Sequence, residues 1–292
     1  MLIRNADKSS PAWFWAKIKQ CLTERRLPDV ITTGIQALAF QGYLARLRLL
    51  TFLSKIQRPF VSFRETGRYL YASPVGREGK PFLEKIIRRF GCEVFDYMIF
   101  VYDDTSFDEE LFKSCQIMYE KGHRCNFVKK YLTPEFCENY DYIFMWPDDI
   151  DIMDFDPRRF IGIMKRNNLE NAQPALADGS YYTHPITLHN KSDHVGRFTD
   201  FVEHMVPVYR RDAWIKYWHM VEPDYNFWGW GYDCLAKTFC GYTNMGIIDS
   251  EPVMHSRPQR KPSKEMVANY QKLFAKFSQY KQAVHIAYGF LR

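Results

Sequence analysis

The chain has 292 residues, 46% apolar and 25% charged, with a formal net charge of +6. That length buries a sizeable core, as one large domain or one domain with an appendage, and the composition is that of a folded globular protein. The excess of positive charge is too small and too scattered to argue for nucleic acid, and agrees instead with an anionic substrate or an acidic membrane surface.

In chain order, Arg4, Asp7 and Lys8 precede Pro11 with no apolar run after them, so no secretory signal is expected. Residues 1–61 read as a helical segment. Phe40, Tyr43, Leu44, Leu47 and Leu50 form an apolar stripe flanked by Arg46 and Arg48. Two readings stay open: an appendage packed on the main domain, or a basic amphipathic helix making a peripheral contact with an anionic membrane. No apolar stretch approaches the roughly 18 residues of a spanning helix. The seven cysteines are odd in number and hold no Cys-x-x-Cys pair. They point away from zinc and from a disulfide framework, towards a reducing, cytoplasmic setting.

From Arg68 strands and helices alternate. Tyr69 to Ala72 reads as a strand, Pro81 to Phe90 as a helix ending at Gly91, and Asp96 to Tyr102 as a strand closed by Asp103 and Asp104. The pattern predicts a helix over Asp108 to Lys121, a strand over Cys125 to Val128, and a buried strand from Tyr142 to Trp146. A helix from Pro157 to Arg166 and a short strand at Gln173 to Leu176 come next. Residues 178–200 are polar and irregular, Phe201 to Tyr209 is strand-like, and Arg211 to Met220 is helical. A strand at Gly246 to Asp249 and a tail helix from Ser263 to Tyr288 complete the chain. Alternating units of this kind predict an α/β domain with a mostly parallel central sheet.

Three constellations carry chemistry. The apolar run Tyr142-Ile143-Phe144-Met145-Trp146 ends at Pro147 and then Asp148, Asp149 and Asp151. Ligands of α/β sheets sit beyond the carboxyl ends of strands, and crowded carboxylates there favour a bound magnesium or manganese ion. In Trp228-Gly229-Trp230-Gly231-Tyr232-Asp233, glycines allow close approach, indoles offer flat faces for sugar, and Asp233 is placed to accept a proton from a hydroxyl. In Val253-Met254-His255-Ser256-Arg257, His255 can complete a metal shell and Arg257 can meet phosphate oxygens. Glu203 interrupts the apolar Phe201-Val202-Glu203-His204-Met205 and rivals Asp233 as the base, while Asp103 is placed by its strand to meet a nucleoside.

Together, the strand ending in Asp149-Ile150-Asp151, the Trp228-Gly229-Trp230-Gly231 turn with its acid, and Val253-Met254-His255 resemble the marks of GT-A-fold glycosyltransferases. The turn is similar to that of the β-1,4-galactosyltransferases, where the acid after it faces the acceptor and a later His binds manganese. The stretch Tyr140 to His255 more closely resembles an uncharacterised family, domain of unknown function 707. The similarity runs through Trp146 to Asp151, Gln173-Pro174-Ala175, Phe201-Val202-Glu203, Pro207-Val208, Ala213-Trp214, Gly229-Trp230-Gly231, Asp233, Asp249-Ser250-Glu251 and His255. It leaves the N-terminal segment unexplained. Pro147 stands where a further acid is expected, and Cys234 where galactosyltransferases carry a second one.

The resemblance implies a GT-A-like (Rossmann-like) catalytic domain over 62–292 with a C-terminal helix. It implies transfer of a sugar from a nucleoside-diphosphate sugar, UDP-sugar foremost, to a hydroxyl of a glycan or glycolipid, with inversion. Asp149, Asp151 and His255 would hold Mn2+ or Mg2+, and Asp233 would deprotonate the acceptor. Asp103, Asp148, Trp228, Trp230, Gly231 and Arg257 would meet donor or substrate. Two alternatives remain: a metal-dependent phosphoesterase built on the acidic cluster, and a catalytically silent glycan-binding or scaffold protein.

Overall fold

The structure is a computed structural model in which residues 66–258 and 261–292 are described, all within the unit Ser62–Arg292. The expectations placed on residues 1–61, helical segment and membrane contact alike, lie outside the described residues. In chain order the elements are β1 (Tyr69–Val75), α1 (Lys80–Phe90), β2 (Phe95–Val101), β3 (Cys115–Tyr119), α2 (Arg124–Tyr131), α3 (Pro134–Cys137) and β4 (Tyr142–Met145). Then follow β5 (Ile150–Asp151), α4 (Pro157–Arg166), β6 (Asn171–Leu176), β7 (Gly196–Thr199), β8 (Val208–Arg210), α5 (Arg211–Met220), α6 (Tyr232–Phe239), β9 (Met245–His255), α7 (Lys264–Lys276) and β10 (Ala287–Phe290).

Side chains alternate across a strand, and β4 shows what that does here. Tyr142, Phe144 and Trp146 enter one apolar cluster with α1 and α4, while Ile143 and Met145 enter another with α2, α5, α6 and α7. A strand apolar on both faces requires helices over both, so the sheet becomes the middle of three layers. Strands run in the order β10-β7-β9-β6-β8-β4-β1-β2-β3, with β5 paired to β9. The β4-β1-β2-β3 part is parallel, which gathers the carboxyl ends at Val75, Val101, Tyr119 and Met145 along one rim. Beyond β4 the sheet is mixed: β8 runs antiparallel to β4 and β6, β6 is parallel to β9, and β7 is antiparallel to β9 and β10. The expected α/β class is thus present, with its parallel part forming one rim at the carboxyl ends of its strands.

Local signals explain most boundaries. Pro81 lies in the first turn of α1, and Arg88 and Arg89 lie in its last turn. Asp156 caps α4 by accepting from Arg158 N at 2.8 Å and Arg159 N at 3.2 Å. Several segments differ from the sequence reading, β7 and α6 among them, since neither was expected. The expected helix 108–121 is a short 3-10 turn, Glu110–Phe112, followed by β3. β3 is an edge strand with one neighbour and half-exposed faces, so no continuous apolar run marks it. The expected strand 125–128 lies inside α2, whose start is closed by His123 and Asn126 in a reciprocal cap rather than by Ser or Thr. The strand-like run 201–209 is loop until β8, because side chains take its amides: Glu203 N donates to Gln173 Oε1 at 2.6 Å and His204 N to Asp233 Oδ2 at 3.3 Å. The tail helix stops at Lys276, and β10 ends the chain as a strand. Among the described residues, no helix is long and apolar enough to cross a membrane.

Candidate active site

The rim of the parallel strands begins with a glycine loop. After β1 the chain runs Gly76-Arg77-Glu78-Gly79 into α1, and both glycines are fixed by close approach. A Cβ on Gly76 would stand 2.6 Å from the Tyr102 ring, and one on Gly79 would stand 2.3 Å from Asp148. The loop therefore hugs the end of β4. Asp148 Oδ2 accepts from Gly76 N at 3.0 Å and from the Tyr102 hydroxyl at 2.7 Å, and Arg257 approaches Oδ1 at 3.5 Å. Burial pushes the Asp148 carboxyl up, against the hydrogen bonds that favour its charge. On the other side of the loop, Asp103 accepts from Arg77 N at 2.8 Å and Thr105 N at 3.0 Å. It lines a cleft of about 330 Å³ together with Tyr102, Asp104, Ser106, Tyr119 and Lys121.

Asp149 and His255 meet at the centre. β5 pairs antiparallel with β9, which sets Ile150 opposite His255 and Asp151 opposite Met254. His255 Nε2 comes within 3.1 Å of Asp149 Oδ2, and its Nδ1–H donates to the Tyr181 carbonyl at 2.8 Å. Burial opposes the imidazolium, but the Asp149 carboxylate outweighs it, so the proton affinity of His255 is raised. Asp149 Oδ1 is buried without a hydrogen-bond partner.

Asp151 stands apart. Cross-strand partners share a face, and because His255 faces Ile150, Asp151 falls on the opposite side. There it takes the Lys85 ammonium at 2.5 Å and Met153 N at 2.9 Å. Of the expected shell of Asp149, Asp151 and His255, the structure brings Asp149 and His255 together and sets Asp151 apart on Lys85. Among the described residues, no group of three or more His, Cys, Asp or Glu is placed to hold a metal ion.

A carboxylate pair, Glu203 and Asp233, lies beyond His255. Glu203 is 6% exposed, and its Oε2 is buried without a partner. Burial, reinforced by the charge of Asp233, pushes its carboxyl up to about 8, with Thr183 and His255 pulling the other way. Asp233 sits in the first turn of α6, accepting from Cys234 N at 2.9 Å and from His204 N. His204 is a hub for this pair. Its backbone holds Asp233, its Nδ1–H donates to the Gly229 carbonyl at 3.2 Å, and its Nε2 accepts from the Tyr217 hydroxyl at 2.7 Å. Arg124 in turn donates to the His204 carbonyl. Burial drives the His204 imidazole well below its usual range, so it stays neutral.

The glycine turn needs its glycines, with φ of 93° at Gly229 and 91° at Gly231. Trp228 packs on His123 at 4.3 Å between centroids, with its indole N–H buried and unpartnered. Trp230 stays 38% exposed.

Of the residues singled out in the sequence, Asp148, Asp149, His255 and Arg257 converge, as do Glu203, Asp233 and the 228–231 turn, with Asp103 across the Gly76 loop. The sequence reading gave no site role to Gly76, Gly79, Tyr102, His204 or Gln173. A glycine pair directly after an apolar strand and before a helix was the available signal for the first two; His204 carried none, since its role lies in tertiary hydrogen bonds.

These features define an α/β domain whose candidate site lies at the carboxyl ends of its parallel strands. The model of the family described as "Protein of unknown function (DUF707)" matches residues 46–200 and 197–285, and the chain belongs to that family. No curated protein matches it. Among solved structures it is similar to S. aureus TarS 1-349, with a TM-score of 0.45 and 8% identity over 73% of each chain. The same fragment in complex with UDP-GlcNAc gives 0.42 and 6% identity over 73% of this chain and 66% of that one. A197 from STIV gives 0.37 and 10% identity over 68% and 98%.

Proposed function

We propose that the protein is a metal-dependent glycosyltransferase of GT-A type. It moves a sugar from a nucleoside-diphosphate sugar, a UDP-sugar foremost, to a hydroxyl of a glycan or glycolipid acceptor, with inversion. The observation that carries this reading is the order of groups along one rim: a nucleoside-sized cleft at Asp103, the Asp149–His255 pair, then the Glu203–Asp233 pair beside the glycine turn.

The Asp149–His255 pair fits Mn2+ or Mg2+. Asp149 Oδ1 is an orphaned buried oxygen, and the Tyr181 carbonyl fixes the Nδ1–H tautomer that leaves His255 Nε2 as the ligating atom. Two protein ligands leave positions for phosphate oxygens. When bound, the cation would neutralise charge on the departing diphosphate. Arg257 stands beside Asp148 to meet the same phosphates, and Tyr102 and Asp103 frame the nucleoside. On the acceptor side, Asp233 takes the hydroxyl proton. Glu203 keeps its own proton near neutral pH and orients the acceptor by donating from Oε2. Attack from the face opposite the diphosphate inverts the anomeric carbon.

Thermal unfolding with UDP, with and without Mn2+, tests this. Wild type should be stabilised by UDP only with metal present, by about 2.7 kcal/mol at a hundredfold excess over Kd. Asp149→Asn and His255→Gln should abolish the response, whereas Asp151→Asn should keep it. A wild-type protein that ignores UDP and hydrolyses no UDP-sugar in the presence of Mn2+ would end this reading in favour of a silent glycan binder.

A further inference from the structure

Helix α7 lies along the glycine turn and supplies no member of the Asp149–His255 or Glu203–Asp233 pairs. Lys276 pairs with Glu222 at one end of the turn and stands 4.0 Å over the Tyr225 ring. Nearer the site, Tyr270 and Phe274 pack at 4.4 Å between centroids and close on Gly231. A Cβ added there would stand 2.6 Å from Phe274 and 3.1 Å from Tyr270. Gly231 is therefore required twice over, by its backbone angle and by these rings. Phe274 is the partly buried member of the pair, and Tyr270 keeps 36% of its surface exposed.

Asp233 follows Gly231 by two residues, so this ring is held beside the proposed base. The phenol senses it: burial first, then the charges of Cys234 and Asp233, raises the Tyr270 proton affinity. Trp230, also exposed, directly precedes Gly231 in the chain.

A Tyr ring fixed against backbone offers a rigid, amphipathic surface at little entropic cost. The charge of its surroundings selects the occupant. The Asp233 carboxylate repels an anionic acceptor, while a neutral pyranose presents C–H groups to a ring and hydroxyls to a carboxylate. We propose that Tyr270, held with Phe274 against Gly231, is the platform on which a neutral pyranose of the acceptor stacks, turning a hydroxyl to Asp233. The inference rests on the glycosyl-transfer reading and adds to it an acceptor class and a residue that recognises it.

The test uses the full chain with Mn2+, a panel of UDP-hexoses and UDP-N-acetylhexosamines as donors, and neutral trisaccharides (maltotriose, cellotriose, chitotriose) against a uronic-acid trisaccharide as acceptors. Wild type should transfer to a neutral trisaccharide in preference to the acidic one. Tyr270→Ala should raise the acceptor KM by about tenfold with a smaller change in kcat, while the UDP–Mn2+ thermal shift stays as in wild type. Tyr270→Phe should restore the wild-type KM, since the ring and not the hydroxyl is the platform. An unchanged KM in Tyr270→Ala overturns the proposal. So does a loss in Tyr270→Phe equal to that in Tyr270→Ala, a preference for the acidic trisaccharide, or no transfer to any neutral one while donor hydrolysis proceeds. If wild type neither binds UDP nor hydrolyses a donor, the parent reading fails, a result distinct from any of these.

Discussion

Glu203 concentrates the conflict between burial and chemistry. An ordinary glutamate loses its proton near 4.5, whereas here the folded chain keeps it to about 8. Between those values the unfolded chain has released a proton that the folded chain still binds, so stability falls as pH rises through the window and levels off above it. The penalty is on the order of a few kcal/mol. A neutral isostere escapes it. Glu203→Gln should match wild type in thermal midpoint near pH 5 and exceed it by several degrees at pH 9. Equal midpoints at pH 9 would show that Glu203 Oε2 finds a partner there and that the residue is not held uncharged. The same residue shows how far sequence carries: an acid inside an apolar run marked it as unusual, but its company (Gln173, Thr183, Asp233 and His255) comes from separate segments that no local pattern links.

At the level of elements, legibility followed how locally each one is determined. α4 carries its own cap, its proline and its apolar stripe, and its predicted bounds are those observed. β4 announces itself because both faces are buried. β3 and α2 were exchanged for a helix and a strand because their identities depend on neighbours: β3 is completed by β2, and α2 by the packing of Cys125, Phe127 and Val128 under the sheet. The Gly76–Gly79 loop belongs with the legible group in composition but not in purpose, since its two close approaches involve residues near 102 and 148. That gives a sharp expectation. A methyl on Gly79 has nowhere to go but into Asp148, 2.3 Å away, so Gly79→Ala must displace either the loop or the carboxylate. Overpacking of this kind costs about 1–3 kcal/mol, and the displaced rim should also lose the UDP–Mn2+ response. Gly162→Ala, with open space around its Cβ, is the matched control and should keep both stability and response. A Gly79→Ala protein with a wild-type midpoint and a full response would mean the loop is not packed on Asp148.

Across the whole molecule, the sheet separates two tasks along its width. The β4-β1-β2-β3 end presents the Asp103 cleft and the Asp148 contacts, β9 carries His255 to Asp149, and the β7-β10 edge closes the fold. At that far end Arg197 and Asp249 form a buried ion pair, and Asp200 accepts from Val284 N and Ile286 N at 2.7 Å each, which brings the last segment in to pair with β7. Leu291, 3% exposed, follows β10 and packs against Gly196, where a Cβ would stand 2.8 Å from its methyl. Removing its side chain leaves a cavity that backbone pairing on both sides prevents from collapsing, so Leu291→Ala should cost about 2–4 kcal/mol. For a domain of this size that is a fall in thermal midpoint on the order of 5–10 °C. Leu291 packs beside Gly196, which pairs with Ile248, seven residues along β9 from His255, so the added stabilisation from UDP and Mn2+ should be unchanged in magnitude, measured from the variant's own lower baseline. Additivity of this sort holds for sites that share no partner. A variant that loses the ligand response together with its stability would show that the two ends of the sheet are coupled, and that β10 and Leu291 help to set the rim.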